Sequence, residues 1–251
     1  MRKIILSTAI LALVFVGCKK DEVKPTDSST ASNSSASIST VPKISKEKVY
    51  FENSTMGNDT IVKTYTYDSK GRLVSSKSNS YITTYNYVSP NLITTTYFYE
   101  NDSVKQENII TSYILDSKGN ASKMYSSIMK DTISIYYSPD GYNRGSGSML
   151  NFKLEVIDGN VVNKNNIAYE YYLDKINTIG SENKGIYFYG KDSKNLVKSD
   201  KWVGTNGMSS NTDYSYEFDS KNRVIKSIRN QVSTNGLYGS GKTITLYEYV
   251  K

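Results

Sequence analysis

Tyr65-Thr66-Tyr67-Asp68-Ser69-Lys70-Gly71-Arg72-Leu73 is the stretch that decides the fold. Side chains on an extended strand alternate with a period of two, so Tyr65 and Tyr67 share one face. Asp68 then closes a turn, because a short carboxylate accepts nearby backbone N–H groups. Gly71 supplies the left-handed backbone that such a tight reversal needs. Leu73 restarts the strand pattern with an apolar residue. The unit reads as strand, turn, strand.

The same design recurs along the chain. Asp116-Ser117-Lys118-Gly119-Asn120-Ala121, Asp192-Ser193-Lys194-Asn195-Leu196-Val197 and Asp219-Ser220-Lys221-Asn222-Arg223-Val224 repeat the turn, with Gly119, Asn195 and Asn222 at the left-handed position. Asp158-Gly159 reads as a shortened version suited to a two-residue hairpin. Alternating segments accompany the turns: Tyr81 to Tyr87, Thr94 to Tyr99, Ile133 to Tyr136, Tyr169 to Tyr171, Tyr187 to Tyr189, Tyr214 to Phe218 and Ile244 to Tyr249. Tyr, Thr and Ile suit a pleated, half-buried surface. Pro90 and Pro139 each follow a serine at the end of an aromatic run, where a missing ladder donor does no harm. No window supports a long helix after residue 17. The expected fold is all-β, an antiparallel meander of about 10–14 strands. It forms one long twisted, curled sheet or a partly closed barrel, with a β-sandwich as the alternative.

The first residues describe the compartment. Arg2 and Lys3 precede a mostly apolar run, Ile4 to Val16, which is the pattern of an export signal. Cys18 is the only cysteine and follows Phe15-Val16-Gly17. This resembles the lipobox of bacterial lipoproteins, which implies cleavage before Cys18 and its acylation. Residues 1–17 then form a lipoprotein signal peptide. Residues 18–45 form the lipidated cysteine and a Ser/Thr-rich tether too poor in apolar residues to fold. Residues 46–251 form a single repetitive hairpin domain. Lys19-Lys20-Asp21-Glu22, lacking Asp directly after the cysteine, resembles the surface-export signal of Bacteroidota lipoproteins and implies an outer-membrane location, on the periplasmic or the exposed face.

Tyr65-Thr66-Tyr67-Asp68-Ser69-Lys70-Gly71-Arg72-Leu73 also closely resembles the Tyr-Asp repeat of RHS-type proteins. Asp219 to Val224, preceded by Tyr216-Glu217-Phe218, is a looser copy with Asn222 for Gly and Val224 for Leu. The Asp116 and Asp192 copies lack the arginine. The combination of lipobox, tether and worn Tyr-Asp hairpins is similar to Bacteroidota lipoproteins of unknown function. RHS proteins use many copies to build a shell, and this chain is too short for that role. Asp59-Thr60-Ile61, Asp102-Ser103-Val104 and Asp131-Thr132-Ile133 resemble the short O-glycosylation motif of periplasmic Bacteroidota proteins.

The chemistry available is narrow. The chain has 23 tyrosines and no histidine, so Ser-His-Asp triads and His-containing metal sites are excluded. With Cys18 acylated, no thiol or disulfide remains. Asp68, Asp116, Asp192 and Asp219 are accounted for by turn capping, and each turn offers too few oxygens for calcium. Glu155, Glu170, Glu217 and Glu248 fall in strands, where pairing with lysine on a solvent face accounts for them; a glycoside hydrolase would need two of them facing each other. The net charge of +7 is scattered, so no nucleic-acid partner is expected. Trp202, the single tryptophan, lies in a polar stretch and is a candidate ligand contact. The expected function is a non-enzymatic envelope protein without cofactor or metal, membrane-bound through its lipid. It serves as a binding or structural module whose partner is a glycan or an envelope protein. The alternatives are a glycan-binding accessory of a surface uptake system and a carboxylate-dependent glycoside hydrolase.

Overall fold

Alternation and turn chemistry act together in this chain. Each Asp-capped turn reverses the backbone, and the next alternating segment pairs with the last. The computed structural model describes residues 41–52, 59–100, 108–146, 153–204, 207–234 and 240–251, all within the compact unit Ile38–Lys251. Cys18, the rest of segment 1–40 and Asp102-Ser103-Val104 lie outside the described residues.

The first strands are β1 (Ile44–Glu52), β2 (Thr60–Tyr67), β3 (Leu73–Ser78), β4 (Tyr81–Ser89), β5 (Leu92–Tyr99), β6 (Ile109–Leu115), β7 (Ala121–Ser126) and β8 (Thr132–Tyr137). They are followed by β9 (Asn143–Ser146), β10 (Leu154–Ile157), β11 (Asn160–Lys164), β12 (Ile167–Ile176), β13 (Asn195–Val203), β14 (Ser209–Phe218), β15 (Val224–Ser233) and β16 (Gly241–Tyr249). All sixteen join one sheet in the order β10 to β16, then β1 to β9. Every neighbouring pair is antiparallel, and β16 pairs with β1 through Lys48↔Leu246 and Val49↔Thr245. The chain ends therefore meet in the middle of the sheet, and β9 and β10 are its edges. The sheet curls into a nearly closed barrel rather than a sandwich. At one end the gap is bridged by the Tyr142 hydroxyl, which donates to the Gly159 carbonyl at 2.9 Å. Strands exceed the expected number because β3, β9 and β11 carry little apolar alternation; their neighbours' ladders hold them. The first strand begins at Ile44, two residues before the domain start read from the sequence.

Three turns at one end of the barrel have one geometry. Asp68 Oδ1 accepts the N–H groups of Lys70 and Arg72, each at 2.9 Å. Asp116 does the same for Lys118 and Asn120, at 2.8 and 2.9 Å. Asp219 does so for Lys221 and Arg223, both at 2.9 Å. Gly71, Gly119 and Asn222 have φ of 71°, 83° and 58°, in the left-handed region that glycine and asparagine tolerate. Where the turn carries an arginine, its guanidinium bridges two groups. Arg72 Nε donates to Asp68 Oδ2 at 2.7 Å and its plane lies 4.1 Å from the Tyr87 ring. Arg223 repeats this with Asp219 at 2.7 Å and Tyr249 at 4.4 Å. A further turn of the same shape, Ser138 to Tyr142, uses the Ser138 hydroxyl to accept the Tyr142 N–H at 3.0 Å.

The residue after each Asp turn is fully buried: Leu73, Ala121 and Val224. Each has its carbonyl held by a tyrosine hydroxyl from the end of the following strand. Tyr87 donates to Leu73 at 3.0 Å, Tyr137 to Ala121 at 3.1 Å and Tyr249 to Val224 at 2.9 Å. Tyr67 holds the carbonyl of buried Ile44 in the same way, at 2.5 Å. These tyrosines are clasps between hairpins, and the hydroxyl explains why tyrosine rather than phenylalanine fills the positions.

The Asp192 stretch departs from the expected design. Residues 177–194 cross from β12 to β13 without forming a hairpin, and the alternating Tyr187-Phe188-Tyr189 is not a strand. Asp192 accepts the Ser181 N–H at 2.5 Å. Asn195 begins β13 and is buried against Asn160, whose side chain accepts the Asn195 N–H at 2.8 Å. The segment instead plugs the end of the barrel that carries the Asp turns. Its Gly185 and Phe188 carbonyls accept the N–H groups of Leu73 and Ala121 at 3.4 and 2.8 Å, and the Thr178 hydroxyl accepts that of Val224 at 3.0 Å. Phe188 is buried among Ile93, Tyr113, Ala121 and Ile135. A single-turn 3-10 helix, Glu182–Lys184, carries Lys184 to Glu47 on the barrel wall, at 2.9 Å. Glu47 is buried and also accepts the Tyr65 hydroxyl at 2.7 Å. Burial, and after it the Glu47 charge, holds the Tyr65 phenol far above its ordinary pKa, so it stays a donor.

Partial burial pushes the Asp68 carboxyl up, but the Arg72 and Lys70 hydrogen bonds and the Arg72 charge outweigh it and hold its pKa below the usual value. A carboxylate depressed in the folded state stabilises above its unfolded pKa and loses that contribution as pH falls through the folded value. Stability measured by urea unfolding should therefore fall as pH drops below about 4, and Asp68→Asn should flatten that dependence. At pH 7, Asp68→Ala should cost about 1.5–3 kcal/mol, the range for hydrogen bonds to a charged group. Lys184→Ala leaves Glu47 buried without its cation, at a cost of about 3 kcal/mol. Hydrogen exchange should accelerate first in residues 177–194; unchanged protection there would refute the anchoring role.

Candidate ligand-binding site

Strand pairing shows which side chains face inward. Glu47 and Tyr65 are buried beneath the plug, and cross-strand partners share a face. Following the register from Glu47 through Tyr247, Thr245, Ser227 and Tyr216 to Tyr214, Thr212 and Asp200 keeps to the inner wall. Trp202 follows at its pairing with Ser210 and Ile167, and Tyr169 at its pairing with Asp200. The plug fills the end with the Asp turns. Tyr169, Asp200, Trp202, Tyr214 and Arg229 lie toward the other end, the mouth.

There they line a cavity of about 420 Å³ formed by Ile167, Tyr169, Asp200, Trp202, Tyr214 and Arg229, with Ser210 and Gln231 at its edge. The Tyr214 hydroxyl donates to Asp200 Oδ2 at 2.8 Å. Burial, then the hydrogen bond to Asp200, pushes the Tyr214 pKa up to about 12, with Arg229 opposing the shift. Arg229, Tyr214 and Asp200 thus form a polar row across β15, β14 and β13 that ends beside Trp202 and Tyr169. Thr212, on the same wall, is buried, and its hydroxyl has no protein partner. The indole has a fixed place, since a Cβ on Gly204 would lie 2.3 Å from Trp202 Cη2. Another inner wall of the mouth carries a second aromatic group. Tyr81 stacks on Tyr97 at 5.3 Å between centroids and packs against Tyr99 at 4.9 Å. Tyr81 is 42% exposed, so its ring is open to a ligand.

The arrangement offers flat rings beside one acceptor, one cation and several neutral polar groups. It lacks paired acids. Glu170, Glu217 and Glu248 are exposed and stand beside lysines: Lys198 at 3.7 Å, Lys226 at 2.7 Å and Lys46 at 3.0 Å. Glu155 is exposed on β10. None of them lines the mouth cavity. Among the described residues, no group of three His, Cys, Asp or Glu side chains is placed to hold a metal. A groove of about 540 Å³ on the outer face includes Tyr50, Glu52, Lys226 and Leu246. Its charges are already taken, Glu52 by Lys242 and Lys226 by Glu217.

Of the residues singled out in the sequence, only Trp202 lines the mouth cavity. Asp68, Gly71, Asp116, Gly119, Asp219 and Asn222 lie in turns at the plugged end, and Asp192 and Asn195 in or beside the plug. Asp59 and Asp131 cap the first N–H of β2 and β8, each at 2.7 Å. Asp200, Tyr214 and Arg229 were missed as a group. The spacing of Asp200 from Trp202 already put those two on one face, but only strand pairing joins Tyr214 and Arg229 to them.

A porin-like protein from Bacteroides uniformis ATCC 8492 has a similar fold, with a TM-score of 0.54 and 14% sequence identity. The match covers 84% of this chain and 100% of that chain. At this identity the likeness concerns the fold alone. No protein-family model and no curated protein matches the sequence.

Because Trp202 is the only tryptophan, its emission reports on the mouth. Gly204→Ala should shift the emission maximum by displacing the indole. Lys46→Met, on the outer face, should leave it in place. A spectrum unmoved by Gly204→Ala would contradict the packing described.

Proposed function

We propose that this chain is a lipid-anchored, non-enzymatic binding barrel of the outer membrane that takes a glycan in its mouth. The observation that carries this reading is the row Arg229, Tyr214 and Asp200, which ends beside Trp202 and Tyr169 and lines one cavity with them. Sugars present apolar C–H faces that stack on rings and hydroxyls that both donate and accept. A pocket with flat aromatics, a carboxylate acceptor and guanidinium and amide donors matches both needs. The Tyr81 group gives the mouth a second platform.

Anchoring rests on Cys18 and the lipobox that precedes it. Residues 41–43 reach the barrel at its plugged end. The Val250 N–H donates to the Lys43 carbonyl at 2.8 Å, and Asn183 Nδ2 donates to the Pro42 carbonyl at 2.9 Å. Residues 41–43 thus lie at the plugged end, opposite the mouth.

A lipid-spanning pore is disfavoured by the outer wall. A spanning barrel turns an apolar band outward, where a lysine at mid-depth costs about 2–4 kcal/mol. Here the outer face carries Lys46–Glu248, Lys226–Glu217 and Lys242–Glu52 across adjacent strands, an arrangement suited to water.

The test is calorimetric titration of the protein with a panel of polysaccharides, neutral and acidic. At least one should bind, and Trp202→Ala should weaken that binding by about tenfold or more, as for a central aromatic anchor. Binding by neither protein, or equally by both, removes the glycan reading.

A further inference from the structure

The inner wall is nearly free of charge, which makes its few ionic groups informative. Along the strands of the described residues, the inward register positions carry Glu47, Lys63, Lys164, Asp200 and Arg229. Lys63 on β2 is opposite Glu47 on β1 and Ser78 on β3, beside the residue pair Ser78↔Tyr81. It is thus on the wall that carries the Tyr81 platform. Lys164 is opposite Ile167 and lines a cavity of about 470 Å³ that shares Tyr169 with the Trp202 cavity. Glu47 is neutralised by Lys184 of the plug and by the Tyr65 hydroxyl. Asp200 is engaged by Tyr214. Lys63 and Lys164 have no ion-pair partner among the described residues, and both are only half-exposed.

Besides the paired Glu47, the inward strand positions among the described residues thus hold three cations, Lys63, Lys164 and Arg229, against one carboxylate, Asp200, and the plug adds Lys191 and Asp192 to the cavity lined by Lys164. A half-buried cation without a partner costs solvation that a bound anion would restore. A concave wall of one sign also concentrates ligands of the other. From this geometry we infer that the glycan taken by the mouth is an acidic polysaccharide, carrying carboxylate or sulfate groups. Arg229 meets an acidic group beside the Trp202 platform. Lys63 and Lys164 meet others along the lumen, and Asp200 accepts a sugar hydroxyl. This rests on the glycan reading above and specifies its ligand class.

Polygalacturonate and its fully methyl-esterified form share one sugar backbone and differ at the carboxyl, charged in one and a neutral methyl ester in the other, so they separate the two readings. Titrated into the full-length chain, polygalacturonate or the sulfated polymer chondroitin sulfate should bind at least tenfold more tightly than the ester, with affinity falling as salt is raised. Arg229→Gln should weaken acidic binding by about tenfold, the share of a charged hydrogen bond. Lys63→Gln with Lys164→Gln should do likewise, and this double variant should leave binding of the ester unchanged. Lys46→Gln, outside the barrel, should change neither. Ester binding as tight as acid binding overturns the acidic assignment and leaves the glycan reading standing. Lack of effect of both lumen variants, in proteins whose unfolding transition is intact, also overturns it. Binding of none of the three polymers overturns it as well; the wider panel then decides the glycan reading.

Discussion

A nearly closed sheet of sixteen strands encloses more space than its own inward side chains can fill, and barrels of this size hold water or a plug. Here the plug is made from the chain itself. Residues 177–194 bring Phe188 into the space among Ile93, Tyr113 and Ile135, and Lys184 to the buried Glu47. The segment also accepts the N–H groups of Leu73, Ala121 and Val224, at the Gly185 and Phe188 carbonyls and the Thr178 hydroxyl. The plug therefore completes the hydrogen bonding of the repeated turns as well as the packing of the core. The repeat unit includes a place for the plug: Asp cap, left-handed residue, buried residue with its N–H turned inward and its carbonyl clasped by a tyrosine.

This makes the two ends of the barrel chemically different. At the plugged end nearly every inward polar group has a partner from the turns, the tyrosine clasps or the segment 177–194. At the mouth the strands continue past the plug. Trp202, Tyr169 and Tyr81 keep rings open to solvent, and the Thr212 hydroxyl has no protein partner. A wall satisfied at one end and unsatisfied at the other is what a binding barrel needs, since the satisfied end gives rigidity to the side chains of the open one.

The tyrosines serve both ends through the same side chain. A phenol buries a ring and still carries a donor, so it suits an interior that is wide, partly wet and lined by backbone carbonyls. Tyr67, Tyr87, Tyr137 and Tyr249 spend that donor on the first residue of a strand. Tyr214 spends it on Asp200. Phenylalanine in these places would leave each carbonyl or carboxylate short of a partner.

The strands and turns were legible in the sequence because period-two alternation and the Asp-to-Gly or Asn spacing act over a few residues. The left-handed Gly71, Gly119 and Asn222 needed no tertiary information. The Asp192 stretch and Tyr187-Phe188-Tyr189 carry the same local signals, yet there the barrel's empty interior prevailed over local pattern, and they became plug. Trp202 stood out alone; Asp200, Tyr214 and Arg229 joined it only through register, since pairing β13, β14 and β15 brings together residues up to 29 positions apart. The sequence by itself determined an all-β meander of tyrosine-rich hairpins with capped turns. The tertiary structure decided how many strands close, which face is inside, what fills it and where a ligand site is left. Those outcomes depend on ring closure and enclosed volume, which are properties of the whole sheet and of no single segment.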